Sequence, residues 1–405
     1  MQSDCPTLHV LQVTHAAYPT IAGGVDRVIT DLLHVRQEGL RSRLLRVSGW
    51  HLCRVEHEII GGADIHSLVL PLPPPQRWRV HTWLHFLLHA SRALVRLLRL
   101  LRRHDIDIVH LHSLQHYHLY FTIARLLGGP PYVVTLHRGE VRAYPTRNRW
   151  TRTSWRWVLQ YAAAVTAVSA SLAASARAAF PFLAQVEAIA NGIVLPIGAL
   201  PDIATLRAQL SLPAHYVVMA GRLQAYKGHD VGIRAWAALV ARHPALDLVV
   251  VGDGELREAY RYLTRALGLQ DRVHFTGQLD SATTLAVIGA SFALMMPSRD
   301  EGFGLVVLEA GALGVPVIVS DLPVFHEFVE AGVTALIVAI DDAAALAQAV
   351  TALCENAGLR AALVENFSAR MAARFDFRRT AAGYAACYRR VLACEQGAAT
   401  AGTAR

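Results

Sequence analysis

HYVVMAGRLQAYKGHDVGIRAWAALVARHPALDLVVVGDG (215–254) reads as strand, glycine turn, helix, strand and a second glycine turn. His215–Gly221 is a short apolar run, Gly228–Arg242 has helical periodicity, and Leu246–Gly252 is apolar again. Two strands joined by a helix of this length form a parallel βαβ unit with a right-handed crossover. In an open parallel sheet, ligands bind beyond the carboxyl ends of the strands. That is where Gly221, Arg222 and Lys227 fall after the first strand, and Gly252, Asp253 and Gly254 after the second.

The same alternation continues in both directions. Downstream, VHFTG (273–277), SFALMMPS (291–298), VPVIVS (315–320) and ALIVAI (335–340) read as strands, and residues 341–395 as helices. Upstream, LHVLQVTH (8–15), SRLLRVSG (42–49), DIVHLHS (107–113), YVVTLH (132–137) and AVTAVS (164–169) read as strands. A helix over Val80–Arg103 places Val80, Leu84, Leu87, Leu94, Leu98 and Leu101 at 3.6-type spacing. The turn-rich ANGIVLPIGALPDI (190–203) separates the two series. The fold class is therefore α/β, with two Rossmann-like doubly wound domains facing across a cleft. The expected divisions are 1–197 and 198–375, two Rossmann-like domains, and 376–405, a helix and tail packing back toward the N-terminal domain.

Composition agrees with two large cores. Of 405 residues, 53% are hydrophobic and 17% charged, against about 25% charged in an average soluble protein, which excludes general disorder. The five cysteines form no CxxC pair, so neither a disulfide framework nor a zinc ribbon is expected. The N-terminus has Asp4 where a secretory signal would be basic, and a cytoplasmic location is expected. Trp157–Ala176 is 20 residues without a charge, but its serines, threonine and glutamine read as helix, strand and helix rather than a membrane span. Residues 1–200 carry 21 basic and 11 acidic residues, and 201–405 carry 18 and 20, so the net charge of +8 divides into +10 and −2. Of the 39 basic residues only Lys227 is a lysine, which singles out its position.

The chemistry concentrates in a few turns. In SRDEGFGLVVLEAGALGVPVIVS (298–320), Glu301 precedes a GFG turn and Glu309 lies inside the helix that follows. Amides at Phe303, Gly304 and Leu305 would be unpaired at that helix N-terminus, a ready anion site. Glu301 and Glu309 lie too far apart for a glycosidase carboxylate pair, which needs about 5 Å, so each would touch a different part of one extended ligand. Arg222 and Lys227, at a strand end, suit a diphosphate. VGDG (251–254) resembles the dinucleotide turn GxGxxG, but its third glycine position holds Arg257, which weighs against a Rossmann oxidoreductase. Gly23 and Gly24 follow the first strand, and His137 ends the strand at 132–137. His110, His112, His116 and His118 read as a strand end with cleft-lining histidines rather than a metal set.

Taken together, GRL-x4-KG (221–228), VGDG (251–254), FTG (275–277), E-GFG-x4-E (301–309) and PVIVSD (316–321) resemble, in order and spacing, the retaining glycosyltransferases of family four, with GT-B architecture. The resemblance covers nearly the whole chain and implies that 1–197 is the acceptor-binding domain and 198–375 the donor-binding one. It implies that Arg222 and Lys227 hold the pyrophosphate of a nucleotide-diphosphate sugar and Glu309 the ribose. Glu301 and His137 would serve catalysis beside the transferred sugar. Gly23, Gly24, Gly252, Asp253, Gly277, Phe303, Gly304 and Leu305 would complete the donor site. It further implies no metal and no cofactor, and transfer to a hydroxyl of a glycan or lipid-linked acceptor. Arg138, after His137, stands where relatives often carry an acidic residue. The alternatives are a non-catalytic nucleotide-sugar-binding relative and the oxidoreductase already mentioned.

The basic half points to an anionic partner. It lacks the motifs of nucleic-acid readers, so no nucleic acid is expected. RWRVHTWLHFLLHASRALVRLLRLLRRHD (77–105) and RAYPTRNRWTRTSWRW (142–157) interleave arginine with aromatic and aliphatic residues, which suits an anionic acceptor or peripheral attachment to an anionic membrane surface.

Overall fold

The computed structural model describes residues 7–15, 23–35, 37, 39–48, 56–72, 80–194 and 200–403. The chain divides into two compact units, Met1–Ala190 with Phe377–Arg405, and Asn191–Asp376.

The first unit is built on an eight-stranded sheet. Its strands are β1 (Leu8–Thr14), β2 (Leu40–Ser48), β3 (Glu56–Ile60), β4 (Ala63–Val69), β5 (Ile108–His112), β6 (Tyr132–Leu136), β7 (Ala164–Ala167) and β8 (Glu187–Ala188). Their spatial order is β3-β4-β2-β1-β5-β6-β7-β8. All pairings are parallel except β3 with β4, a hairpin closed at Gly61-Gly62. β5 and β6 are buried along their whole length, as strands covered on both faces must be. The helix Val80–Arg103 is present as the periodicity predicts, but the expected stripe is only half a core face. Ala93, Leu97, Leu100 and Leu101 are buried, whereas Trp83, Leu84, Leu87 and Leu88 are exposed. Trp157–Ala176 is the end of the helix Arg149–Gln160, strand β7, and the start of the helix Ala170–Ala179. No helix among the described residues is long and apolar enough to cross a membrane.

The helix Phe377–Thr403 closes on this unit. Tyr384 and Tyr388 are fully buried, and the Tyr388 hydroxyl lies 2.7 Å from His110 Nδ1. From there a polar chain runs through the interior. His110 Nε2 meets Thr135 Oγ1 at 2.6 Å, which meets Thr166 Oγ1 at 2.6 Å. In the other direction, Tyr388 accepts from Gln12 Nε2 at 3.5 Å, and Gln12 Oε1 lies 2.9 Å from His112 Nε2. His110, His112 and His118 are thus buried and do not line a cleft. His110 and His112 are accommodated because each has partners for its ring nitrogens.

The second unit carries β9 (Tyr216–Ala220), β10 (Asp247–Val251), β11 (Val273–Gly277), β12 (Ala293–Met296), β13 (Val317–Ser320) and β14 (Leu336–Val338). The order is β11-β10-β9-β12-β13-β14, all parallel. That is the 3-2-1-4-5-6 order of a doubly wound sheet, which reverses between β9 and β12. Its core is aliphatic, with Trp236 wholly buried among Val217, Met219, Leu248 and Val250. In a sheet of this order ligands bind beyond the carboxyl ends of the strands at the switch point, here β9 and β12, the two strands that carry the sequence's charged turns.

Candidate donor site in the second unit

Four turns converge beyond β9, β10, β11 and β12. Glycine permits the closest approach. Gly228 has φ +67°, and a Cβ there would lie 1.8 Å from the carbonyl oxygen of Pro297, beyond β12. Only glycine tolerates both the conformation and the contact. Gly221 N–H donates to Val251 O at 3.0 Å, Leu223 N–H to Asp253 O at 3.0 Å, and Gly252 N–H to Gly277 O at 2.9 Å. Gly252, Asp253 and Gly277 are therefore joined to the β9 turn by main-chain bonds. Arg257, which breaks the dinucleotide pattern, donates Nη1 to Asp253 Oδ2 at 2.9 Å and fixes that turn.

Lys227 and Glu301 meet directly, Nζ to Oε1 at 2.5 Å, with side chains 14% and 7% exposed. Ser298 Oγ donates to the same carboxylate oxygen at 3.1 Å. Arg299, which sequence reasoning passed over, ties the two turns together. Its Nη1 and Nη2 donate to Asp230 at 2.9 and 2.7 Å, Nη1 reaches Ala225 O at 2.6 Å, and Nε reaches Asp341 at 2.6 Å. This fork holds the Asp230 carboxyl below its usual range against the opposing effect of burial. The available signal was two opposite charges, in KGHD and SRDE, flanking the residues already singled out. Arg222 is exposed beside this cluster.

The helix starts differ in a way that suits an anion. Helices beginning at Ile203, Ser281, Ala343 and Ala357 are capped by the side chains of Asp202, Asp280, Asp342 and Asn356. The helices His229–Leu239 and Leu305–Ala312, at the ends of β9 and β12, begin after Gly228 and Gly304 with no side-chain cap. Their N-terminal dipoles are directed at the switch point, where a phosphate is favoured. Phe303 is buried against Phe328 and Phe375 and anchors the turn, while Glu309 is buried in the second helix. His229, also buried, is held neutral with its pKa near 3 by burial and by the charge of Lys227.

The remaining candidates belong to the first unit. Gly23 precedes the helix Gly24–His34, again without a side-chain cap; residues 16–22 of that loop lie outside the described residues. His137 follows β6. Its N–H donates to Glu140 Oε1 at 2.7 Å, and its Nε2 lies 3.3 Å from His112 Nδ1. Burial lowers the His137 pKa to about 4, so the ring is neutral at pH 7. Arg138, next to it, takes φ +114°, an unusual conformation for a side-chain-bearing residue.

The comparisons fit this geometry. Residues 203–370 match the family model of glycosyl transferases group 1, and 16–192 that of the glycosyl transferase 4-like domain. The chain belongs to the group 1 glycosyltransferases. It is 33% identical over 227 residues to D-inositol 3-phosphate glycosyltransferase from Acidothermus cellulolyticus, spanning 53% of this chain and half of that one. It is 28% identical over 283 residues to alpha-D-kanosaminyltransferase from Streptomyces kanamyceticus, spanning 67% and 73%. Among solved structures, sucrose-phosphate synthase from Thermosynechococcus elongatus superposes with a TM-score of 0.73 at 22% identity, over 96% of this chain and all of that one. HepE from Anabaena, in complex with UDP-glucose, gives 0.71 at 20% identity over 94% and 99%. The fold class is thereby the GT-B class of two parallel-sheet α/β domains.

Proposed function

We propose that the protein transfers a sugar from a nucleoside-diphosphate sugar, with retention and without a metal ion, to a hydroxyl of a glycan or lipid-linked acceptor. The observation that carries this reading is the Lys227–Glu301 pair, set between two uncapped helix N-termini at the switch point of the second sheet. A diphosphate entering there meets Arg222, Lys227 and two helix dipoles, and draws Lys227 away from Glu301. Glu301 is then released to accept hydrogen bonds from sugar hydroxyls. Glu309 takes the ribose. Negative charge developing on the leaving diphosphate is neutralised by the same cations, the task a metal performs in other transferases. Among the described residues no separate nucleophilic carboxylate is assigned to the site, and in this reading the acceptor attacks from the face the diphosphate leaves. His137, neutral at pH 7, serves as a hydrogen-bond partner to the sugar rather than as a cation. Binding of UDP-glucose by HepE supports a nucleotide-sugar donor.

The acceptor side is the basic first unit. Trp83, Leu84, Leu87 and Leu88 are exposed in the first half of the helix Val80–Arg103, with exposed Arg92 one turn beyond Leu88 and exposed Arg99, Arg102 and Arg103 toward its far end. A face of that composition rests peripherally on an anionic membrane surface, on the cytoplasmic side where nucleotide sugars are made. Thermal-shift screening of UDP-, GDP- and ADP-sugars, followed by product analysis of transfer in EDTA, tests the reading. A matching donor at 100 times its dissociation constant adds about 2.7 kcal/mol. The absence of any shift, or inverted product stereochemistry, overturns it.

A further inference from the structure

We propose that the β3–β4 hairpin of the first unit holds a zinc ion between His57, Asp64 and His66. Asp64 and His66 lie two residues apart on β4 and share a face; His57 stands opposite His66 in the antiparallel register. His57 Nε2 is 2.7 Å from Asp64 Oδ1, and His66 Nε2 is 3.4 Å from the same oxygen. The three donor atoms lie within 4.8 Å of one another, and no other such group of three occurs among the described residues. The site is empty here.

Two features beyond proximity point to a cation. The first is an orphan. His66 is 97% buried, the complement of its 3% exposure, yet its Nε2 makes no hydrogen bond. A buried polar atom left in this way needs an explanation, and a metal bond gives one. The second is preparation of the carboxylate. Arg43 Nε donates to Asp64 Oδ2 at 2.9 Å, which orients the carboxylate and leaves Oδ1 facing both imidazoles. Ligating carboxylates are held by outer partners in this way. Two imidazoles and one carboxylate suit zinc, with a water in the fourth position on the side of exposed His57.

The ion would join an edge strand to its neighbour. β3 is the outermost strand of the sheet and pairs only with β4, and a metal bridge across that pair holds the edge against slipping or pairing with another chain. The hairpin belongs to the first unit, whose fold the metal would steady.

The test uses the full chain, stripped with chelator, in a His85→Ala/His89→Ala background. That background is needed because His85 and His89 lie one turn apart on a helix, Nε2 to Nε2 at 3.1 Å, and offer zinc a rival pair. Zinc chloride titrated into this protein should bind at about one equivalent, raise the melting temperature by several degrees, and be replaceable by cobalt with a tetrahedral visible spectrum. His57→Ala removes an exposed ligand without endangering the fold and should weaken zinc binding by about tenfold or more. Asp64→Asn should do the same, though it also disturbs Arg43. Equal zinc affinity in the background protein and in its His57→Ala derivative overturns the proposal, as does no binding at all.

Discussion

Lys227 Nζ lies 2.5 Å from Glu301 Oε1, although 74 residues separate the two in sequence. The two side chains proposed to hold neighbouring parts of the donor hold each other before it arrives. The pair explains why a nearly buried carboxylate tolerates its site and why the one lysine of the chain stands where it does. It also means that substitutions on either side must be read as removing a partner as well as a contact.

Lys227→Ala should therefore cost stability as well as activity. Breaking a buried pair leaves Glu301 uncompensated, at about 3 kcal/mol. The double variant Lys227→Ala/Glu301→Gln should recover most of the melting temperature and none of the transfer. Denaturation of the singles and the double closes the cycle. No recovery in the double would show that the pair does not carry the loss.

Glu309→Ala should raise the donor KM by roughly tenfold to a hundredfold, the worth of a charged hydrogen bond, with a smaller effect on kcat. Ribose contacts are alike in ground and transition states. Glu301→Gln should act mainly on kcat. Steady-state kinetics over donor concentration separate the two, and identical profiles would contradict the separate roles.

Gly228→Ala should destabilise the second unit by more than about 3 kcal/mol, since the added methyl collides with the Pro297 carbonyl. Gly332→Ala is the matched control. It has nearly the same φ, +70°, with nothing within 4 Å of its Cβ, and should cost about 1 kcal/mol. Similar losses in both would show that the two turns are not wedged together.

Acid should unfold the first unit before the second. Burial lowers the pKa values of His110 and His118 to about 3 and holds that of His112 well below its usual value, whereas the second unit has His229. Below pH 6.5 the unfolded chain takes up these protons and the native one does not, so their contribution is intact above pH 6.5 and is lost as pH falls toward 3. By pH 5 each such histidine has forfeited about 2 kcal/mol. Asp31, its pKa raised to about 6 by burial, and Glu140, also raised by burial, work in the opposite sense, two groups against these three. Limited proteolysis between pH 7 and pH 4.5 should cut residues 56–190 first; earlier cleavage within 200–376 would reverse the assignment.

Anionic vesicles should retain the protein at low salt and release it at high salt. Each exposed arginine at the surface contributes about 1 kcal/mol, screened within about 8 Å at physiological ionic strength. Neutralising Arg99, Arg102 and Arg103, together with Arg147, Arg149 and Arg152, should abolish retention, and Trp83→Ala should weaken it without changing its salt dependence. Of these, Arg147 and Arg152 already lie over the rings of Trp155 and Tyr144. Co-sedimentation of wild type with neutral and anionic vesicles alike absent would end the membrane reading.

Most of the second unit was legible in the sequence because its signals are local. An apolar run, a glycine turn and an amphipathic helix repeat there, and the charged residues sit on the turns themselves. The first unit hides more. The β3–β4 hairpin was missed because EHEII and ADIHSLV are short and carry charges where a buried strand would be apolar. The histidines were misplaced for the opposite reason. In a strand buried on both faces, alternation says nothing about which polar residue has a partner, and the partners of His110 and His112 come from Gln12 and Tyr388 at distant points of the sequence. Arg299 escaped notice because a fork across two turns has no linear signature. Leu84 and Leu87 fit the helical period, but period alone does not say whether protein covers the stripe.

The closing of Phe377–Thr403 on the first unit sets an order on biosynthesis. His110 leaves the ribosome 278 residues before Tyr388, its hydrogen-bond partner. At ordinary elongation speeds of about 5–20 residues per second, that is a delay of roughly 15–60 s. Throughout it, the polar interior around Gln12, His110 and Thr135 lacks its tyrosines. The second unit, contiguous in sequence, can complete its sheet as it is made. The half of the protein that is translated first is therefore the half that completes its interior last.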